Sequence, residues 1–318
     1  MDRRDLLKMA AAFAGGVVAQ DPAQAFASAV PVIDTHIHLF DPTRPGGVPW
    51  PEKTDAAIYR TTLPDRYQSV AGPLGVVGAV VVEASPLASD NDWVLRVAAR
   101  YPIIVGLVGD LIPGTADYAK QLDRLHANPL FLGIRCGNIW NRDLSSDLDK
   151  PEFLPGLKLL AERGLTLDSA NPDMKLLQAI ARISARVPQL RIVIDHLPSM
   201  KVPADPKEYW RLLHELAGNK NIYVKLSEVE ALRSELGAGP GFYKETLDGL
   251  WNVFGEDHVL YASDWPNSDH HATYLKTITI LRDYAATKSR SAQEKFFAKN
   301  SLAAYRWHSR DAAQAGVI

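Results

Sequence analysis

The sequence predicts a (β/α)8 TIM barrel, a single domain preceded by a cleavable export signal. Three observations carry this. First, eight short runs rich in Val, Ile and Leu alternate with eight stretches of near-helical period. Short runs that are apolar throughout suit strands buried on both faces, and strict alternation with helices suits a parallel sheet. Second, the strand-like runs end in ionisable residues, as at the mouth of such a barrel, where active sites sit. Third, the competing doubly wound open sheet often carries a glycine-rich phosphate turn after its first strand, and no such turn follows here.

The elements follow in order. Residues 1–29 form the export segment. Arg3 and Arg4 lie in a basic flank, Met9 to Ala19 is a short Ala/Gly-rich core, and Ala25-Phe26-Ala27 and Ala27-Ser28-Ala29 fit a small-residue cleavage site. This resembles a Tat signal, with Leu6 where Phe is commoner, and implies the Tat machinery as partner and a periplasmic location. The barrel spans residues 30–308. Its expected strands are 30–36, 76–83, 103–110, 131–136, 165–168, 191–195, 222–226 and 259–262. The expected helices are 65–71, 91–101, 116–127, 152–163, 174–186, 206–217, 241–254 and 271–284. Two long connections, 41–62 and 137–150, follow the first and fourth strands, and long loops in a compact domain are usually functional. Residues 309–318 are small and polar and are expected to fray.

Composition removes several classes of function. Of 318 residues, Lys and Arg nearly balance Asp and Glu, for a net charge of −2. No nucleic-acid-binding surface follows from that balance. No apolar run reaches the ~20 residues that span a bilayer. The single cysteine, Cys136, forms no intrachain disulfide.

The candidate chemistry gathers at strand ends. His36 and His38, two apart at the first strand, point to one side and make half of a divalent-metal site. Later strand ends add Glu83, Asp110, Arg135, Asp168, His196, Lys225, Ser227 and Asp264. Arg135, Lys225 and Arg142 are candidates for a substrate carboxylate, because arginine matches a carboxylate bidentately. Glu83 and Asn267 are further substrate contacts. Trp50, Trp140 and Trp265 are candidate walls, whereas Trp251 and Trp307 suit the core.

The opening VIDTHIHLFDP, the VIDHLP around His196 and the LYASDWP around Asp264 resemble the amidohydrolase superfamily, in particular its lactonase branch of sugar-acid and pyrone dicarboxylate lactonases. Pro49-Trp50-Pro51, Gly133-Ile134-Arg135 and the closing 300–306 segment fit as well, so the resemblance covers nearly the whole barrel. It implies a hydrolase that opens a small carboxylated or polyhydroxylated lactone. His36, His38, His196 and Asp264 would hold one divalent ion, zinc or manganese. Many superfamily members take a further ligand from the fourth or fifth strand. Here those strands end in Arg135-Cys136 and Asp168-Ser169, so a binuclear site is not expected, and the single ion is either held weakly or dispensed with. Asp264 is the natural general base, since a carboxylate both orients water and takes its proton. Without an ion, protonated histidines would polarise the carbonyl. Two alternatives share this frame: a non-oxidative decarboxylase or lactone isomerase, and a non-catalytic exported sugar-acid binding protein. The twin arginine gives a first prediction. Changing Arg3 and Arg4 to Lys leaves unprocessed precursor in the cytoplasm on cell fractionation, and an undiminished shortened periplasmic form would remove the Tat reading.

Overall fold

The computed structural model describes residues 30–231 and 241–317. The expected export segment lies outside them. Eight strands form one parallel sheet in sequential order: β1 Val32–Ile37, β2 Val76–Val82, β3 Ile104–Gly109, β4 Phe131–Gly137, β5 Thr166–Ala170, β6 Arg191–Ile194, β7 Ile222–Leu226 and β8 Val259–Tyr261. The sheet curls until β8 meets β1. Ile37 and Trp265 form a parallel bridge, the Asp264 amide donates to the His36 carbonyl at 2.9 Å, and the His38 amide donates to the Trp265 carbonyl at 2.8 Å. Helices cover the outside between successive strands. Among the described residues no helix is long and apolar enough to cross a membrane.

Two apolar clusters account for the packing. One lies between strands and helices and includes Val32, Ile37, Leu122, Leu157, Ile180 and Leu213. The other is built from strand residues such as Ile33, Val80, Val193 and Leu260 and is joined by Trp307 and Val317 from the chain end. This is the division a closed barrel requires, since alternate strand residues face the lumen and the helices.

The observed bounds differ from the expected ones where polar residues mislead. β5 continues to Ala170, pairing Cys136 with Ser169 and Gly137 with Ala170, so Asp168 lies inside the strand. The last barrel helix runs Tyr274–Ala285 and not from residue 271. Asn267–His270 forms a tight 3-10 turn, and the Thr273 hydroxyl caps the helix by accepting from the Lys276 amide at 3.3 Å.

The chain end corrects the expectation of fraying. Ala312–Ala315 forms a helical turn, and Gln314 is fully buried. Its amide donates to the carbonyls of Val77 and Pro102, both at 2.9 Å. Arg310 donates to the carbonyls of Ala98, Tyr101 and Ile104. The polar side chains that suggested a solvated tail satisfy backbone acceptors where β2 and β3 begin. Ending the chain after Ser309 is therefore expected to lower the unfolding free energy by about 2–5 kcal/mol in a denaturant titration. An unchanged midpoint would show the tail to be passive.

Candidate active site

The C-terminal ends of the strands open into a cavity of about 720 Å³ lined by His38, Glu83, Arg135, His196, Glu228 and Asp264, with Trp50 and Trp140 on its sides. The backbone marks the same place. Every described non-glycine residue with positive φ except Arg306 lines this cavity: Trp140, Asn141, Asn171, His196, Glu228 and Asp264. Such conformations carry strain and tend to cluster where side chains must be aimed.

At the base of the cavity three side chains converge. His36 Nε2 lies 3.3 Å from His38 Nε2 and 3.4 Å from Asp264 Oδ1, and His38 Nε2 lies 3.1 Å from the same oxygen. A tetrahedral ion with bonds of 2.0–2.1 Å separates its ligands by about 3.3 Å, so these atoms already stand at coordination spacing. The His38 Nδ1–H donates to the Val82 carbonyl at 3.0 Å, which leaves the Nε2 lone pair facing Asp264. A lone pair and a carboxylate oxygen at that distance need positive charge between them, which a proton or a divalent ion would supply. His196 stands beside them, its Nε2 3.8 Å from Asp264 Oδ1 and its Nδ1 2.8 Å from the Ser227 hydroxyl. The residues present therefore fit the ion that the sequence suggested.

The electrostatics favour ligation. Burial pushes His196 down to about 4, and burial with the Lys225 ammonium holds His36 well below the usual imidazole range, so both rings stay neutral near pH 7. Burial opposes ionisation of Asp264, but the neighbouring His38 ring, Glu228 and Asn267 hold its carboxyl below the ordinary value. The Asn267 amide donates to Asp264 Oδ2 at 2.7 Å.

Beneath the histidines runs a belt of alternating charge. Lys225 Nζ lies 2.7 Å from Asp168 Oδ2, 2.8 Å from Asp195 Oδ1 and 3.2 Å from His36 Nδ1. It is fully buried and does not line the cavity. Arg135 donates from Nε to Asp195 Oδ2 at 3.1 Å and lies 3.7 Å from Glu83 Oε1. Glu83 Oε2 accepts from the Trp140 indole at 2.9 Å and the Ser85 amide at 3.0 Å. Arg142 donates to Asp110 at 2.6 Å. Burial pushes Asp168 up to about 6 despite Lys225, whereas Lys225, His36 and Arg135 together overcome burial to hold Asp195 well below the usual carboxylate range.

Of the site residues expected from sequence, His36, His38, His196 and Asp264 come together. Trp50, Glu83, Arg135, Trp140, Arg142 and Asn267 line the cavity, with the Trp50 ring 5.4 Å from that of His38. Trp265 is not a wall: it is 1% exposed and packs against Tyr67 beneath Arg66. Cys136 is buried, which raises its thiol pKa and leaves no reactive thiolate. Sequence reasoning missed Asp195 and Glu228. Asp195 adjoins His196 and reads as the last polar residue of its strand. Glu228 sits in Ser227-Glu228-Val229-Glu230, where nothing local signals that its backbone turns left-handed toward the cavity.

Comparison with known proteins agrees with this architecture. The amidohydrolase family matches residues 33–307. An L-fucono-1,5-lactonase of Burkholderia ambifaria is 30% identical over 241 residues, covering 74% of this chain and 80% of that protein. An amidohydrolase structure from Burkholderia multivorans with bound zinc superposes with a TM-score of 0.77 at 19% identity, covering 87% of this chain and all of that one. A probable 2-pyrone-4,6-dicarboxylic acid hydrolase from Acinetobacter baumannii gives 0.68 at 19% identity, covering 87% of this chain and 99% of that one.

The geometry predicts that the metal-depleted chain takes up one divalent ion, and that His36→Asn or His38→Asn abolishes stoichiometric uptake while circular dichroism is retained. Full occupancy by elemental analysis in either variant would move the ion elsewhere.

Proposed function

The chain belongs to the amidohydrolase family, and from that premise we propose that it opens a neutral, polyhydroxylated lactone by hydrolysis. The observation that carries this reading is the lining of the cavity above Asp264. Both guanidiniums that reach it are already ion-paired, Arg135 with Asp195 and Glu83 and Arg142 with Asp110. Beside the His38 and His196 rings, the other polar groups there include the amides of Asn138, Asn171 and Asn267 and the carboxylates of Glu83, Glu228 and Asp264. Such groups donate to and accept from hydroxyls, and the carboxylates among them repel a carboxylate on the substrate. The relative named as an L-fucono-1,5-lactonase supports the same substrate class.

The residues divide the work as follows. Trp50 and Trp140 flank the sugar ring and exclude water from its faces. Asp264, ionised and steadied on Oδ2 by Asn267, holds a water against the lactone carbonyl and takes its proton as the new C–O bond forms. When the tetrahedral carbon collapses, the ring C–O bond breaks and the proton held on Asp264 passes to the departing ring oxygen, giving the hydroxy acid. A divalent ion among His36, His38, His196 and Asp264 supplies Lewis acidity toward the carbonyl when bound. Residues 1–29 complete the reading as a Tat-type signal that sends the enzyme to the periplasm.

Asp264→Asn keeps the side chain's size but removes the proton acceptor. It is expected to lower kcat by ~10²–10⁴ on neutral aldono-1,5-lactones, followed by proton release, with folding intact. The wild-type chain is expected to show higher kcat/KM for these than for lactones bearing a free carboxylate. Near-normal turnover by Asp264→Asn removes the base, and a preference for carboxylated lactones removes the substrate class.

A further inference from the structure

Glu228 lies two residues beyond β7, between His196 after β6 and Asp264 after β8. The three have φ of 53°, 53° and 58°. Asp tolerates a left-handed backbone comparatively well; for Glu it is a strained conformation that the surroundings must impose. The result of that strain is convergence: ligand atoms of His196, Glu228 and Asp264 all lie within 4.8 Å of one another.

A single amide fixes the two carboxylates. Asn267 Nδ2 donates to Asp264 Oδ2 at 2.7 Å and to Glu228 Oε1 at 3.1 Å. Asp264 Oδ1 faces the histidines, and Glu228 lies beside it. Two carboxylates held this close share either a proton or a cation, and the buried Lys and Arg side chains among the described residues are committed elsewhere. Lys225 serves Asp168 and Asp195, Arg135 serves Asp195 and Glu83, and Arg191 donates to the carbonyls of Ala304 and Gly164. The strands that carry a further ligand in many amidohydrolases also have nothing to give, since Arg135 of β4 and Asp168 of β5 are locked in these same pairs.

We propose that Glu228 is a protein ligand of the divalent ion, an additional anionic donor reaching it from β7 alongside His196 and Asp264. This rests on the metal centre described above and is independent of which lactone is opened. It would place a cation in the space a shared proton otherwise fills, and it gives the strained backbone a reason.

The test is binding to the full-length chain stripped of metal. Cobalt(II), whose visible spectrum reports ligand number, is titrated directly, and zinc is titrated in competition with a chelating indicator. Glu228→Ala and the nearly isosteric Glu228→Gln are each expected to weaken affinity at least about 10-fold and to alter the cobalt spectrum, with Glu228→His recovering part of both. Circular dichroism confirms folding, and Glu228→Gln carries the test if Glu228→Ala does not fold. Wild-type affinity and spectrum in Glu228→Gln overturn the proposal. So does weakened binding with an unchanged cobalt spectrum, which would make Glu228 a hydrogen-bonding support. A wild-type chain that takes up no cobalt overturns it too. Because the readout is binding, a chain that opens no lactone yet titrates as expected removes the proposed function and leaves this ligand in place.

Discussion

A buried ammonium is the interaction on which the centre depends. Lys225 reaches from β7 to Asp168 on β5, Asp195 after β6 and His36 on β1, at 2.7, 2.8 and 3.2 Å. Its charge sits among two carboxylates and one imidazole, and each group is fully removed from water. Desolvating such charges costs several kcal/mol apiece, so the set holds only while it is complete. Removal of one member of a buried pair typically costs ~3–5 kcal/mol, because the others are left uncompensated. Arg135 extends the same logic outward to Glu83, and Tyr305 adds a hydrogen bond to Asp168 at 2.6 Å. The belt spans the lumen, so packing of the strands and orientation of the His36 ring are the same problem.

Barrel closure is the second constraint. The bonds between the His36 carbonyl and the Asp264 amide, and between the His38 amide and the Trp265 carbonyl, bring the two histidines against the carboxylate. Outside the seam, buried Asp34 accepts from the Ser263 amide at 2.9 Å and from the hydroxyls of Tyr67 and Tyr274 at 3.0 Å each. β1, β8 and the two helices that cover them are thereby joined at one carboxylate. Burial raises its pKa and these hydrogen bonds oppose the rise. The convergence of His36, His38 and Asp264 is thus set by the closure itself.

The cavity walls sit on the less regular parts. The loop after β1 carries Trp50. It is fastened by Arg44, which pairs with Asp90 at 3.1 Å and lies 4.2 Å over the Trp93 ring, and by Asp55, 2.9 Å from His270. The loop after β4 carries Trp140 and Arg142, tied to Glu83 and Asp110. Strand ends hold the candidate reacting groups while fastened loops wall the cavity, a division of labour common to barrel enzymes.

The amino-acid sequence by itself determined the eightfold alternation, the rank of each strand and the four residues His36, His38, His196 and Asp264. Those features are local: apolar runs, helical periods, and polar residues at the points where apolar runs stop. Only the tertiary structure decided what each charged residue faces. Arg135 and Lys225 look from the sequence like hands for a substrate carboxylate. In the fold they answer Asp195, Asp168 and Glu83, because residues 30 to 60 positions apart become neighbours when strands pair in parallel. Glu228 joins the site through a left-handed turn that no side-chain pattern announces, and Gln314 leaves an apparently solvated tail to serve backbone carbonyls at the other end of the barrel. The periodicity of burial is written along the chain. The pairing of charges across the lumen exists only once the sheet has closed.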